Sequence, residues 1–241
     1  MFRIILLLSL FGFCFTFAKD KNVKTTPVEM VNNLQWTGQA GFQITSKELT
    51  VYIDPYMINN VKPADIIFIT HSHGDHYSPN DIKKILQKNT IIVCPKTCEE
   101  IANEFDDMKT IFLNPGDNIN IKGINCQAIP AYNIKKTNFH PKENNWLGYI
   151  LNINGVKIYH AGDTEKIPEM QDYDCDIALL PLGQTYTMNS VEDAVQAAID
   201  IKAEIAIPMH YGMYEGTSED AQQFANLLKD KVKVIQLKMS E

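Results

Sequence analysis

The sequence predicts an α/β protein built as a four-layer αββα sandwich, and three observations predict it. Apolar, β-branched runs recur from Leu34 to Leu237, some joined by tight turns as meanders and others alternating with helix-like stretches. No short-period repeat and no low-complexity linker divides them. Residue types that bind cations or move protons fall on loops leaving the strand-like runs, where α/β proteins place their chemistry. Meanders mixed with helices in one chain fit two sheets packed together with helices outside.

Met1 to Ala18 has the layout of an export signal. Arg3 supplies a short positive start, Ile4 to Phe17 is almost unbroken apolar sequence too short for a comfortable membrane span, and Thr16-Phe17-Ala18 forms a cleavage site before Lys19. The alternative is an uncleaved N-terminal anchor. No other stretch is long and apolar enough to cross a bilayer. The expectation is an exported chain, periplasmic or secreted, whose single domain spans residues 19–241. Cys94, Cys98, Cys126 and Cys175 lie in or beside apolar runs and read as small buried hydrophobes, although export leaves a Cys94–Cys98 disulfide open.

Lys21 to Met30 is polar and reads as irregular. Leu34–Trp36, Gly41–Ile44 and Leu49–Ile53 follow as a meander, with turn residues at Gly38, Gly41 and Ser46-Lys47. Ala64–Ile69 is a buried strand, and Ser78-Pro79 starts a helix through Gln87. Thr90–Val93 and Thr110–Leu113 read as strands around a helical Thr97–Phe105. Asn118–Lys122 with Ile124–Ala131, and Trp146–Ile153 with Val156–Tyr159, read as hairpins, the latter through Asn154-Gly155. Asp176–Leu182, Glu204–Pro208 and Val232–Leu237 complete the strands, and Val191–Ile201 and Glu219–Leu228 the helices.

The chemistry concentrates after Ala64–Ile69. His71, His73, Asp75 and His76 are spaced His-x-His-x-Asp-His. Neutral imidazole and carboxylate suit a borderline cation such as zinc. His71 and His73, two apart, point the same way in extended backbone. Asp75 and His76, beyond the flexible Gly74, can turn to a second position. One loop could thus supply half the ligands of two neighbouring ions.

This spacing after an apolar strand resembles the signature of the metallo-β-lactamase fold superfamily, mostly metal-dependent hydrolases with one or two ions between two β-sheets. The phrases Ile-Thr-His-Ser-His-Gly-Asp-His, His-Pro-Lys, Tyr-His-Ala-Gly-Asp-Thr, Leu-Pro-Leu-Gly-x-Thr-Tyr-Thr-Met and Ile-Pro-Met-His-Tyr-Gly are similar to the UPF0173 metal-dependent hydrolases, near the ascorbate-6-phosphate lactonase-like group. The resemblance spans about Leu34 to Leu237. It implies that His71, His73 and His140 hold one ion, that Asp75, His76 and His210 hold the other, and that Asp163 bridges them. With a single ion, Asp75 would be free to act as general base. Asp54 matches a residue that orients ligands, against the alternative of a turn aspartate before Pro55. His160, beside the motif, reads as supporting structure. Tyr132, Asn133 and Lys142 could line the same mouth, with Lys142 the candidate to hold an anionic substrate group. Two departures stand out: Gln184 occupies the place of an expected glycine, and an export signal is unusual in this family.

The implied activity is hydrolysis of a small ester, phosphodiester or lactone at two divalent ions, zinc by default and manganese or iron as alternatives. The partner is a small-molecule substrate. The formal charge of −7 and pI near 5.4 count against a nucleic-acid binder, and no membrane contact is expected after signal cleavage. The alternatives are a nuclease-type phosphodiesterase and a non-catalytic, metal- or ligand-binding descendant of the fold.

Overall fold

The computed structural model describes residues 25–46, 49–59, 61–99 and 103–240; residues 1–18, read above as an export signal, lie outside them. The first element departs from expectation. Pro27–Val31 forms a short helix, α1, because Thr26 and Glu29 make a reciprocal capping box and Pro27 takes the first helical position.

The first sheet runs β1 (Leu34–Gly38), β2 (Gly41–Ser46), β3 (Leu49–Ile53), β4 (Ile66–Phe68), β5 (Ile91–Pro95) and β6 (Lys109–Leu113), in that spatial order. Its first three strands are the antiparallel meander, and the last three add in parallel. The second sheet has the order β13-β12-β11-β10-β9-β8-β7. Its strands are β7 (Asn118–Ile121), β8 (Ile124–Pro130), β9 (Leu147–Ile153), β10 (Val156–His160), β11 (Ile177–Pro181), β12 (Ile205–Met209) and β13 (Lys233–Val234). Here β7 to β10 are antiparallel and β10 to β13 parallel. The β9–β10 turn is the predicted one, with Asn154 and Gly155 both at positive φ.

Alternation along the strands builds the layers. In the first sheet Val51, Ile53, Ile66, Phe68 and Val93 face the second sheet, within one core that includes Leu147, Tyr149, Leu151 and Ile158. Tyr52, Ile67, Ile69, Ile92 and Cys94 turn outward into a smaller cluster under α2 (Pro79–Ile85), whose Ile82 and Ile85 cover them. On the far side α3 (Val191–Ile201) and α4 (Ser218–Leu228) bury Ala194, Ala198, Phe224 and Leu228 against the second sheet. The order is therefore helix, sheet, sheet, helices.

The helix read over 97–105 lies partly outside the described residues: 3-10 turns stand at Lys96–Cys98 and Asn103–Phe105, Glu99 is helical, and residues 100–102 are outside the described set. The last strand is shorter than read, pairing only at Lys233 and Val234. Beyond it the chain crosses to the first sheet, where Met239 bridges Trp36 and the Ser240 N–H donates to the Trp36 carbonyl at 2.9 Å. The four described cysteines are buried free thiols.

Candidate metal centre

The functional side chains gather at one end of the sandwich because the loops leaving β3, β4, β8, β10 and β12 all open there. The β4 loop carries His71, His73, Asp75 and His76. It is turned back on itself by the N–H groups of His76 and Tyr77, which donate to the His73 carbonyl at 3.0 and 2.8 Å. His140 sits between β8 and β9, Asp163 after β10 and His210 after β12.

The geometry separates into two groups. One donor atom from each of His71, His73, His140 and Asp163 lies within 4.8 Å of the others, and Asp75, His76 and His210 form a second such group. Asp163 joins them. Its Oδ2 faces His140 Nε2 at 3.3 Å and His71 Nε2 at 3.9 Å, while its Oδ1 faces His210 Nε2 at 3.2 Å and His76 Nε2 at 3.3 Å. Only a glycine fits just before it: Gly162 has φ +62°, and a Cβ there would stand 2.8 Å from the Leu147 carbonyl oxygen.

Each ring is held from behind. Asp54, fully buried, accepts from the Thr70 N–H at 2.8 Å and the Thr70 hydroxyl at 2.6 Å, and its Oδ2 lies 2.8 Å from His76 Nδ1. It orients a ring and is no simple turn residue. Glu215 does the same for His210, with Oε1 2.8 Å from Nδ1. Its other contacts are the N–H groups of Thr185 and Tyr186 and the Thr187 hydroxyl, at 2.9, 2.6 and 2.9 Å. That carboxylate fits only because position 183 is glycine; a Cβ there would overlap it at 1.6 Å. His140 Nδ1 instead meets neutral groups, the Tyr186 carbonyl and the Asn133 amide, both at 3.2 Å. Its loop is pinned by Glu165, which accepts from the N–H groups of Ile134, Lys135 and Lys136. Trp146 packs against the rings of His71, His73 and His140.

Charge and burial set the titration of the cluster. Burial, aided by the neighbouring His76, holds His71 well below the ordinary histidine range, and burial together with His140 lowers His73. For His210, burial pulls down, but Asp163 and Glu215 outweigh it and lift the pKa to about 9. His76 likewise rises well above the ordinary value: burial opposes, and Asp163 and Asp54 prevail. Asp163 is pushed up by burial and more strongly down by His210 and His76, ending well below the usual carboxylate range.

These residues fit a pair of cations. His76 Nε2, His140 Nε2 and Asp163 Oδ1 are buried and make no hydrogen bond, although all converge on the same space. Buried polar atoms without partners are costly, and a cation removes that cost.

The structure brings His71, His73, Asp75, His76, His140, Asp163 and His210 together. His160 stands apart as a structural residue, with Nε2 2.8 Å from the Ala40 carbonyl and Nδ1 accepting from the Gly162 N–H. Lys142 does not reach the cleft. Its ammonium lies over the Tyr132 ring and donates to the Tyr132 hydroxyl and to Glu169, each at 3.2 Å. Tyr132 also points to Glu169, so neither lines the mouth, and Asn133 is spent behind His140. Sequence reasoning missed Glu215 and Gln39. Glu215, five residues after His210, carries a weak signal by proximity; Gln39, in the β1–β2 turn, carries none.

A cleft of about 550 Å³ opens onto the cluster between two aromatic pairs, Tyr56 with Tyr214 and Phe139 with Tyr186. No lysine or arginine among the described residues lines it.

Comparison with known proteins agrees with this geometry. The profile of the β-lactamase superfamily domain matches residues 33–210. A UPF0173 metal-dependent hydrolase of Archaeoglobus fulgidus is 32% identical over 230 residues, covering 86% of this chain and 96% of that one. One from Thermoplasma acidophilum is 37% identical over 206 residues, covering 80% and 88%. The chain belongs to the UPF0173 family of metal-dependent hydrolases, within the metallo-β-lactamase superfamily. The hydrolase also resembles a crystal structure from Parabacteroides distasonis, solved as that of a candidate metal-dependent hydrolase, at TM-score 0.75 and 31% identity over 86% of this chain and 93% of that one. It shares its fold with Igni18, a metallo hydrolase of Ignicoccus hospitalis, at TM-score 0.69 and 23% identity over 86% and 95% of the chains.

Proposed function

We propose that the hydrolase cleaves a small ester or lactone, with a phosphodiester as the alternative substrate of the same centre, using two divalent ions, zinc first among the candidates. The observation that carries this reading is Asp163, whose two oxygens each face a different group of imidazoles. In it His71, His73 and His140 hold one ion, Asp75, His76 and His210 the other, and Asp163 both. Such ions, when bound, supply hydroxide near neutral pH and polarise the scissile group.

The chain's own residues do the rest. Asp54 and Glu215 fix the His76 and His210 rings so that Nε2 of each faces the cluster. Asp75, partly exposed at the cleft, is the group placed to accept a proton from an attacking water if one ion is absent. The aromatic pairs give an apolar bed for the acyl or leaving group. With Lys142 tied to Glu169 and no cation lining the cleft, an uncharged substrate with an apolar or aromatic part fits better than a sugar phosphate or a nucleic acid.

The test is to load the purified chain with zinc, manganese or iron and assay aryl and alkyl esters, lactones, thioesters, phosphodiesters, phosphomonoesters and β-lactams, with elemental analysis alongside. The expected result is two ions per chain and turnover of neutral esters or lactones above phosphomonoesters. A folded chain that takes up no metal, or preference for a phosphomonoester, overturns the reading. Export from the cell, proposed from residues 1–18, is tested separately by N-terminal sequencing from the native host, with a start near Lys19 expected and a retained Met1 on a cytoplasmic protein against it.

A further inference from the structure

Gln39 lies at the β1–β2 turn with no exposed surface and with positive φ, 49°, in a non-glycine residue. Such a backbone is costly and persists where surrounding contacts enforce it. Here they do: the Gln39 carbonyl accepts from the Trp36 indole at 2.9 Å and from the His210 N–H at 2.8 Å. The backbone of Gln39 is thereby locked to that of His210, and its side chain enters the second group of the centre. One end of its amide, Nε2, stands 2.8 Å from Asp75 Oδ2 and 2.8 Å from His210 Nε2. The other end, Oε1, is buried and makes no hydrogen bond.

Toward Asp75, with no cation present, the N–H end of the amide is the favourable one. A dication between Asp75 and His210 reverses the preference, because N–H carries positive partial charge and the carbonyl oxygen negative. A half-turn of the terminal amide exchanges the two ends and breaks no hydrogen bond at Oε1. It puts a neutral oxygen donor beside the Asp75 and His210 donor atoms. We infer that the Gln39 side-chain oxygen is a further ligand of the second ion, beside Asp75, His76, His210 and Asp163.

This rests on the two-ion reading above, and the test separates the two. The metal-free full chain, Gln39→Ala and Gln39→Glu are titrated with Co²⁺, with uptake followed by calorimetry and by the visible absorption of the bound ion. Melting curves in a chelator establish that each variant folds. Wild type is expected to bind two ions. Gln39→Ala should weaken the second about tenfold, change its visible spectrum and leave the first unaltered. Gln39→Glu places a charged oxygen at the same point and should tighten the second ion beyond wild type. If the amide only donates N–H to Asp75, Gln39→Glu sets two carboxylates against each other and weakens that ion instead; this outcome overturns the inference while leaving two-ion binding intact. A wild-type affinity and spectrum in Gln39→Ala overturns it too, and decides the matter should Gln39→Glu fail to fold. A wild-type chain that binds a single ion refutes both readings.

Discussion

The two halves of the centre use the same residue type at similar depth and reach opposite electrostatic states. His71 and His76 are both buried, yet one is held well below the ordinary histidine range and the other well above it. The difference lies first in Asp163, which stands 3.3 Å from His76 and 3.2 Å from His210 but 3.9 Å from His71, and then in what stands behind each ring. His71 Nδ1 is 3.0 Å from the Thr70 hydroxyl, and His140 Nδ1 meets an amide and a carbonyl, all neutral. His76 is backed by Asp54 and His210 by Glu215, both anionic when ionised. Burial alone would make every ring neutral; for His76 and His210, Asp163 together with the carboxylate behind the ring reverses that. The first half is thus open to an ion without first shedding protons from His71 and His73. The second holds protons an ion must displace.

The largest expected effect erases the contrast. Asp163→Asn removes the charge shared by both halves and leaves a one-oxygen amide in its place. Both ions should weaken, and turnover should fall roughly a hundredfold or more, since a displaced ion no longer positions the reacting groups. Elemental analysis and kinetics on the best ester found in the panel check this, with Asp172→Asn, exposed and outside both donor groups, as the unaffected control.

A more selective change should split the halves. Glu215→Gln takes the charge from behind His210 and meets the first group indirectly, through Tyr186, whose N–H it accepts and whose carbonyl faces His140. The second ion should lose roughly 10- to 100-fold in affinity while the first keeps its own. Equal weakening of both would mean that the two positions are not independently supported.

Proton competition sharpens the same comparison. His210, at about 9, is protonated at neutral pH in the metal-free protein, so binding at the second position must release its proton. Its affinity should rise roughly tenfold per pH unit for each proton displaced, up to about pH 9, and level off above. His71 and His73 are lowered, so the first ion should show a shallower dependence over the same range. Calorimetric titrations at several pH values in buffers of different ionisation heat read the protons released in each event.

The smallest effect concerns the mouth, which both halves share. Tyr214 pairs with Tyr56, their hydroxyls 2.5 Å apart, and it is exposed. Tyr214→Ala should raise KM for an aryl ester roughly three- to tenfold through lost aromatic contact and leave kcat and metal content near wild type. A fall in kcat with unchanged KM would place the phenol in the chemistry.

Some of this was legible before any coordinates. His71, His73, Asp75 and His76 share one short loop, and that spacing limits where their side chains can point. The capping box at Thr26 and Glu29 was equally local and announced α1, yet the polar composition around it masked the signal. Lys142 misled for the opposite reason. Its charge and position near His140 suggested a role at the mouth, but Glu169, 27 residues away, captures it.

The sequence alone carried the element types and, through meanders mixed with helices, the αββα layering they fit, because apolar runs and turn residues are local patterns. The tertiary structure decided which residues stand behind the rings. Asp54 and His76 are 22 residues apart, and Gln39 and His210 are 171 apart. No periodicity encodes such pairs, since they depend on which loop ends the two sheets bring to one edge. The contrast between the two halves is therefore a property of packing. It comes from Asp163 standing nearer His76 and His210 than His71, and from a buried carboxylate placed within 2.8 Å of one imidazole where a hydroxyl or amide is placed near another.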